Sequence, residues 1–342
     1  MAEGSAIGGV MPADDGTGVP ATSLLHLWSK EWKYASSFDC ARSGLAAVLR
    51  QRGIRRAWLP AYSCTSLAEA VASADALVEF YGCDRELNIA TDVLDRDLRS
   101  GDAFIGIDYF GRSIGSHLSR LRRKYPDVCW IEDRAQALSP GEPAWGDIVM
   151  YSARKLVGVA DGGLLFSQRA LPIPNGPERV DVWAPEIARA FDTKGYHASA
   201  WYPVFRSREA AFSPGDSRAT KRTMSALSKI IAGPIANARR RNWQILAEKL
   251  ESFALWPIVT ASFAPLAFPI VTRDAVRMVA MLAERGIWAP RHWAQLPDGA
   301  DAFKDAAWLS GHCVSLPLDQ RYGRREMQRV ANAVLEIERP SF

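Results

Sequence analysis

The chain has 342 residues, 48% of them apolar and 12 of them tryptophan, enough to bury more than one core-sized unit. Its 42 basic and 38 acidic side chains leave a formal charge of +4, and the two signs are spread along the sequence. That pattern excludes the clustered basic surface a nucleic-acid binder needs. The five cysteines, Cys40, Cys64, Cys83, Cys129 and Cys313, lack any C-x-x-C or Cys/His ligand spacing, so they are expected to be reduced thiols of a cytoplasmic protein with no metal centre.

Taken in chain order, residues 1–22 have neither a basic n-region nor an apolar stretch. They are expected to form a mobile tail rather than a signal peptide or membrane span. "RSGLAAVLRQRG" then carries apolar residues at helical spacing and stops at Gly53, "AWLPAY" is a strand, "SLAEAVASA" a helix and "ALVEFY" a strand. The alternation continues with "DVLDRDLRS" as helix, "AFIGIDYFG" as strand, "HLSRLRRKYP" as helix, then "VCWIED", "GDIVMYS" and "GGLLFS" as strands. Short apolar runs without strict alternation mark strands covered on both faces, which predicts an α/β fold with a mostly parallel, doubly wound sheet.

A helical and aromatic excursion is expected over residues 170–225, inside a large domain of residues 23–235. "SALSKIIAGPIANARRRNWQILAEKLESF" is expected to be a long helix interrupted by Gly-Pro that joins two domains. "PLAFPIVT", "AVRMVAMLAERGI", "CVSLPL" and "REMQRVANAVLEI" predict a smaller α/β domain over residues 236–342.

In an open parallel sheet, ligands bind beyond the carboxyl ends of the strands. "VCWIEDRAQAL" ends its strand at Glu132 and Asp133, with Gln136 three residues on, and "GDIVMYSARK" ends near Ser152, with Lys155 just past it. A carboxylate, an amide, a hydroxyl and an amine are expected to converge there, the parts needed to hold an aldehyde cofactor. Neither G-x-G-x-x-G after the first strand nor a P-loop is present, which disfavours a dinucleotide or nucleoside triphosphate enzyme.

"IEDRAQAL" resembles the E-D-x-A-Q segment of the DegT/StrS family, the sugar aminotransferases of the fold-type I pyridoxal-phosphate enzymes. "YSARKLVGVADGG" is similar to that family's S-F-x-x-x-K…G-E-G-G segment, "ARSGLAAVL" to its phosphate-binding helix, and "LPAYSCTSLAEAV" to its P-x-Y-T-F-x-A-T segment. The resemblance implies a pyridoxal 5'-phosphate cofactor carried as a Schiff base on Lys155. It further implies Asp133 on the pyridine nitrogen, Gln136 by the ring hydroxyl, and Ser152 with Arg42 and Ser43 at the phosphate. It also implies a homodimer that moves an amino group from an amino-acid donor to a keto sugar or related carbonyl acceptor, with no nucleic-acid or membrane partner.

The sequence departs from that pattern at several places. The serine-to-lysine interval is two residues shorter, like the S-x-x-K of the aspartate-aminotransferase group, and Arg42 stands where the family has Thr. The ring-stacking aromatic falls at Cys64, which leaves Tyr62 or a residue from elsewhere for that role. The family's Y-N-Y-R-M loop is replaced by "FSPGDSRATKRTMSAL". Tyr196, His197, Trp201, Tyr202 and Arg206 in the excursion form an aromatic and basic set for an acceptor site, and Arg291 and His292, with Trp293 beside them in "APRHWAQL", are the further candidate substrate residues. Two other readings stay open: a pyridoxal-phosphate enzyme of another reaction type, such as a dehydratase or a bond-forming biosynthetic enzyme, and a catalytically silent binding protein on the same fold.

Overall fold

The computed structural model describes residues 6–139 and 141–339, the side chain of residue 93 excepted. Strand β1 (Ile7–Gly8) precedes helix α1 (Leu24–Ser29), β2 (Tyr34–Phe38), α2 (Ala41–Gln51), β3 (Arg56–Pro60), α3 (Thr65–Ala72) and β4 (Leu77–Tyr81). The chain continues through α4 (Thr91–Asp97), β5 (Ala103–Ile107), α5 (Gly115–Lys124), β6 (Cys129–Asp133), β7 (Ala137–Ser139), β8 (Ile148–Ser152), α6 (Ala153–Leu156) and β9 (Gly163–Ser167). After these come α7 (Ala184–Phe191), α8 (Ala198–Ala211), α9 (Lys221–Leu227) and α10 (Ala232–Leu250). The last part holds β10 (Ala264–Pro265), β11 (Ala267–Val271), α11 (Ala275–Glu284), β12 (Ile287–Trp288), α12 (Lys304–His312), β13 (Cys313–Pro317) and α13 (Arg324–Glu338).

Seven strands form one sheet in the order β2-β9-β8-β6-β5-β3-β4, parallel except for β9, which runs against both β2 and β8. The side-chain period of two splits each inner strand between two cores. Ala57, Leu59, Ile105, Ile131, Met150 and Leu165 pack with Leu45, Leu49 and Val71 of α2 and α3. Trp58, Phe104 and Trp130 point to the opposite face, against Leu94 and Leu118, and Val149, Tyr151 and Phe166 meet Trp28 and Leu227 there. Helices therefore cover both faces, which is why these strands read as unbroken apolar runs.

The second part is built on β11 and β13, an antiparallel pair in register from Ala267 opposite Pro317 to Val271 opposite Cys313. Helices α11 and α13 bury Met278, Leu282, Val330 and Val334 in the same core that α2 and α3 feed. The expected domain boundary at 235/236 falls in the first turn of α10. The expected Gly-Pro interruption lies elsewhere: the break is at residues 228–231, and Gly233 and Pro234 sit inside the opening turn of α10, where a proline lacks no needed hydrogen bond.

The tail expectation needs a correction over residues 6–22; residues 1–5 lie outside the described ones, as do 340–342 of the second domain. Ile7 and Gly8 pair in parallel with Ile287 and Trp288, Ile7 is fully buried, and Tyr322 Oη accepts the Gly8 N–H at 2.7 Å. Gly8 has φ +90°, and a Cβ there would lie 2.2 Å from the Trp288 carbonyl oxygen, so only glycine permits this approach. The segment is short and poor in apolar residues, and its anchoring comes from tertiary fit.

Arg239 of α10 is fully buried and donates to the carbonyls of Leu156 (2.7 Å), Pro265 (2.7 Å) and Leu266 (3.2 Å), tying α6 to the start of the second part. Burial lowers its pKa to about 10, so it remains a cation at neutral pH. Arg239→Met removes the guanidinium from all three carbonyls, leaving Leu156 only the long Gln320 contact at 3.4 Å, and is expected to cost about 3 kcal/mol of unfolding free energy in chemical denaturation; a loss below about 1 kcal/mol would show that the carbonyls find water instead.

Candidate active site around Lys155

Lys155 lies on the single turn α6 directly after the buried strand β8. That turn is held at both ends. Ala153 N–H donates to the Gly162 carbonyl at 2.9 Å, and the Leu156 carbonyl receives Arg239. Gly162, at φ +105°, also donates its N–H to the Asp39 carbonyl at 2.8 Å. Beside it, a Cβ on Gly163 would fall 2.1 Å from the carbonyl carbon of Cys40 and 2.3 Å from the nitrogen of Ala41. The Asp161 carboxylate accepts the Thr220 N–H at 2.8 Å and the hydroxyls of Thr220 and Thr223, fixing the start of α9. The Asp-Gly-Gly turn thus locks the lysine turn, the N-terminus of α2 and α9 to one another.

Asp133 ends β6, the strand beside β8, with Asp133 opposite Met150. It shares the face of Ile131, two residues earlier, whereas Glu132 shares the opposite face with Trp130. Glu132 is consumed there: it accepts Arg134 Nε at 2.6 Å and the N–H groups of Trp145 and Gly146 at 2.7 and 2.9 Å. Asp133 is buried, accepts only the Ala135 N–H at 2.8 Å, and has no ion-pair partner among the described residues. Burial pushes its carboxyl above the usual range, against the opposing pull of the Lys155 charge and the Ala135 N–H. Gln136 is buried and its Oε1 accepts the Phe110 N–H at 2.7 Å.

His292 reaches the same place from the loop after β12. Its Nδ1 shares a 2.7 Å hydrogen bond with Ser315 Oγ of β13. Burial lowers its pKa to about 4, with the Lys155 charge acting in the same direction. The imidazole is therefore neutral at neutral pH. Trp293, beside His292 in the same loop, packs edge-on to Tyr62 at 5.2 Å and to Tyr109 at 6.1 Å; Tyr109 and Phe110 are residues the sequence reading missed, and Phe110 lies edge-on to His292 at 5.9 Å. Tyr109 and Phe110 follow β5 at the carboxyl end of the sheet, a position that would have marked them out.

The other expected residues are placed as follows. Tyr62 is fully buried, and its Oη, like Ser63 Oγ, has no hydrogen-bond partner. Ser152 is buried at the N-cap of α6 and its hydroxyl makes no capping bond. Arg42 and Ser43 lie in the first turn of α2, but residues 212–215 engage both: Arg42 donates to the Phe212 carbonyl at 2.6 Å and pairs with Glu69 at 3.2 Å, while Ser43 Oγ accepts the Gly215 N–H at 3.2 Å. Arg291 donates to the Ser310 carbonyl at 3.5 Å and its charge is felt by the Tyr62 phenol.

Trp201 and Arg206 do not join the site. Trp201 is buried between α7 and α8 and donates to Asp192 at 2.9 Å, and Arg206 is exposed. Tyr202, Phe205 and Arg208, on another face of α8, line the cavity of about 550 Å³ into which Lys155 opens. Of the expected set the excursion therefore brings Tyr202 to the cavity, joined by Phe205 and Arg208.

No family model matches the sequence, and no curated protein matches it. Solved structures do match. A DegT/DnrJ/EryC1/StrS aminotransferase from Brucella abortus is similar with a TM-score of 0.67 and 17% identity, covering 92% of this chain and 88% of that one. The Helicobacter pylori aminotransferase PseC, involved in the biosynthesis of pseudoaminic acid, gives a TM-score of 0.68 and 15% identity over 97% and 99% of the two chains. The E. coli GDP-4-keto-6-deoxy-D-mannose-3-dehydratase, with hydrated pyridoxal phosphate bound, gives 0.66 and 13% over 92% and 90%. At these identities the likeness is one of fold: the chain has the fold-type I architecture found in DegT/StrS-like sugar aminotransferases.

Because His292 binds a proton more weakly folded than unfolded, it contributes stability above its unfolded value near pH 6.5, and that contribution is lost as pH falls through about 4. An NMR titration of the imidazole is expected to show a midpoint near 4, moving upward in Lys155→Ala; a midpoint at 6 or above would place the ring in water.

Proposed function

We propose that the protein is a pyridoxal-phosphate-dependent aminotransferase that moves an amino group from an amino-acid donor to a carbonyl acceptor and works as a homodimer. The observation that carries this reading is Asp133, a buried carboxylate with no ion-pair partner among the described residues, on the strand next to the one that delivers Lys155. A carboxylate taken out of water without a counter-ion is costly, and a protonated pyridine nitrogen supplies that counter-ion. The partnerless hydroxyls of Tyr62 and Ser63 add to the fit, since buried hydroxyls without partners fit a polar ligand.

Pyridoxal phosphate, when bound, supplies an aldehyde that condenses with amines and a protonated ring that takes up the electron pair released with a substrate proton. The chain's residues do the rest. Lys155 Nζ carries the cofactor at rest and accepts and returns the proton during turnover. Asp133 keeps the ring nitrogen protonated, and Gln136 orients the ring. Ser152, with the N–H groups of the first turn of α2, binds the phosphate through aligned dipoles. His292, neutral, hydrogen-bonds substrate without adding a second positive charge beside Lys155.

Borohydride reduction of the purified protein followed by peptide mapping is expected to place the cofactor on Lys155. In Lys155→Ala the visible band of the lysine-bound cofactor disappears while the fold persists; an adduct on another lysine overturns the assignment. Asp133→Asn is expected to retain cofactor yet slow the donor half-reaction by at least a hundredfold, and near-wild-type rates would remove Asp133 from the site. A panel of amino acids that leaves the spectrum unchanged would favour a reaction without amino transfer, such as the dehydration catalysed by one of the structurally similar enzymes.

A further inference from the structure

The cavity into which Lys155 opens is lined by a few polar groups and many apolar side chains. Lys155, His292 and Ser315 are among its polar lining residues, and much of the rest comes from α8, α11 and the loop around β12. Tyr202 and Phe205 of α8, Val279 and Ala283 of α11, and Trp288 and Pro290 supply apolar lining. Tyr202 and Trp288 remain 44% and 53% exposed, so two large aromatic rings face solvent at a cavity of a size that suits a small molecule.

The charged groups along these walls are already paired. Arg208 is bound to Glu186 at 2.6 Å, Arg154 to Glu209, and Asp319 to Arg321 at 2.7 Å. A nucleoside diphosphate carries two phosphates that need charge-assisted donors. Here both arginines already share their charge with carboxylates, Arg208 with Glu186 and Glu209 and Arg154 with Glu209, so a diphosphate would bring its own negative charge against two glutamates that compete for the same guanidinium groups.

We propose that this cavity binds the body of the substrate and that this body is an alkyl or aryl group, attached to the amine or carbonyl that meets Lys155, rather than a nucleotide. The proposal rests on the reading of Lys155 as the cofactor-carrying residue and specifies the substrate class of that site. Each methylene buried against the walls of α8 and α11 adds hydrophobic free energy, so affinity grows with chain length until the cavity is full.

The test uses the holoenzyme with butylamine, hexylamine, octylamine and 3-phenylpropylamine as probes, and UDP and dTDP as nucleotide probes, following the cofactor spectrum and the melting temperature. The dissociation constant is expected to fall about fourfold for each methylene added between butylamine and octylamine. Neither nucleotide is expected to shift the spectrum or the melting temperature at millimolar concentration. Ala283→Phe, which fills the wall, is expected to weaken octylamine at least tenfold and butylamine by less than threefold. A flat amine series, an unchanged octylamine affinity in Ala283→Phe, or a nucleotide that binds more tightly than octylamine overturns the proposal. Failure of the functional reading is separately visible as absence of the lysine-bound cofactor band. In that case the melting temperature still decides the apolar proposal, through stabilisation by octylamine in the parent and its loss in Ala283→Phe.

Discussion

The position of Lys155 depends on one steric constraint, the contact between Gly163 and the backbone of Cys40 and Ala41. No side chain fits in that contact. It lets β9 run antiparallel between β2 and β8, with Gly163 opposite both Phe38 and Ser152, so the start of α2 and the end of β8 are brought together by backbone alone. Helix dipole, lysine turn and buried aspartate are separate pieces of sequence. Their geometry as a set is fixed by two glycines, one with a positive φ and the other with no room for a β-carbon.

Electrostatically, burial sets the charge balance of the site. Burial moves Asp133 and His292 in opposite directions, each toward its neutral form. The Lys155 charge opposes the shift at Asp133 and adds to it at His292. The centre thus holds one lysine amine, one buried acid without an ion-pair partner among the described residues and one imidazole that stays a hydrogen-bonding neutral group. Glu132, adjacent in sequence, shows how completely strand alternation separates roles: one residue away, on the other face, a carboxylate is saturated by an arginine and two N–H groups and contributes only to structure.

The inner strands were legible because burial on both faces leaves no polar alternation to confuse them, and Asp133, Gln136, Ser152 and Lys155 were legible because strand ends in a parallel sheet define where a site lies. Strand β2 was not: "YASSF" sits at the sheet edge with two exposed residues and has no apolar run. The face of α8 was legible only in part. Of Trp201, Tyr202 and Arg206 only Tyr202 meets the cavity, because the orientation of a helix containing Pro203 is set by packing, and it presents Phe205 and Arg208 beside Tyr202. Arg42 looked suited to an anion, but the loop that engages it begins 170 positions later in the chain, a partnership no local pattern announces.

The pairing of β1 with β12 has a consequence for the order in which the molecule is made. Gly8 donates its N–H to Tyr322, 314 positions further along, and Gly8 to Met11 form part of the wall of the Lys155 cavity. On the ribosome, the central sheet has all its strands once Ser167 has emerged, whereas this wall waits for β12 and α13. Gly8 to Met11, translated before any strand of the sheet, are therefore among the last of these residues to take up their final places. During synthesis, the sheet and the lysine turn stand open to solvent on that side until the C-terminal segment arrives to close it.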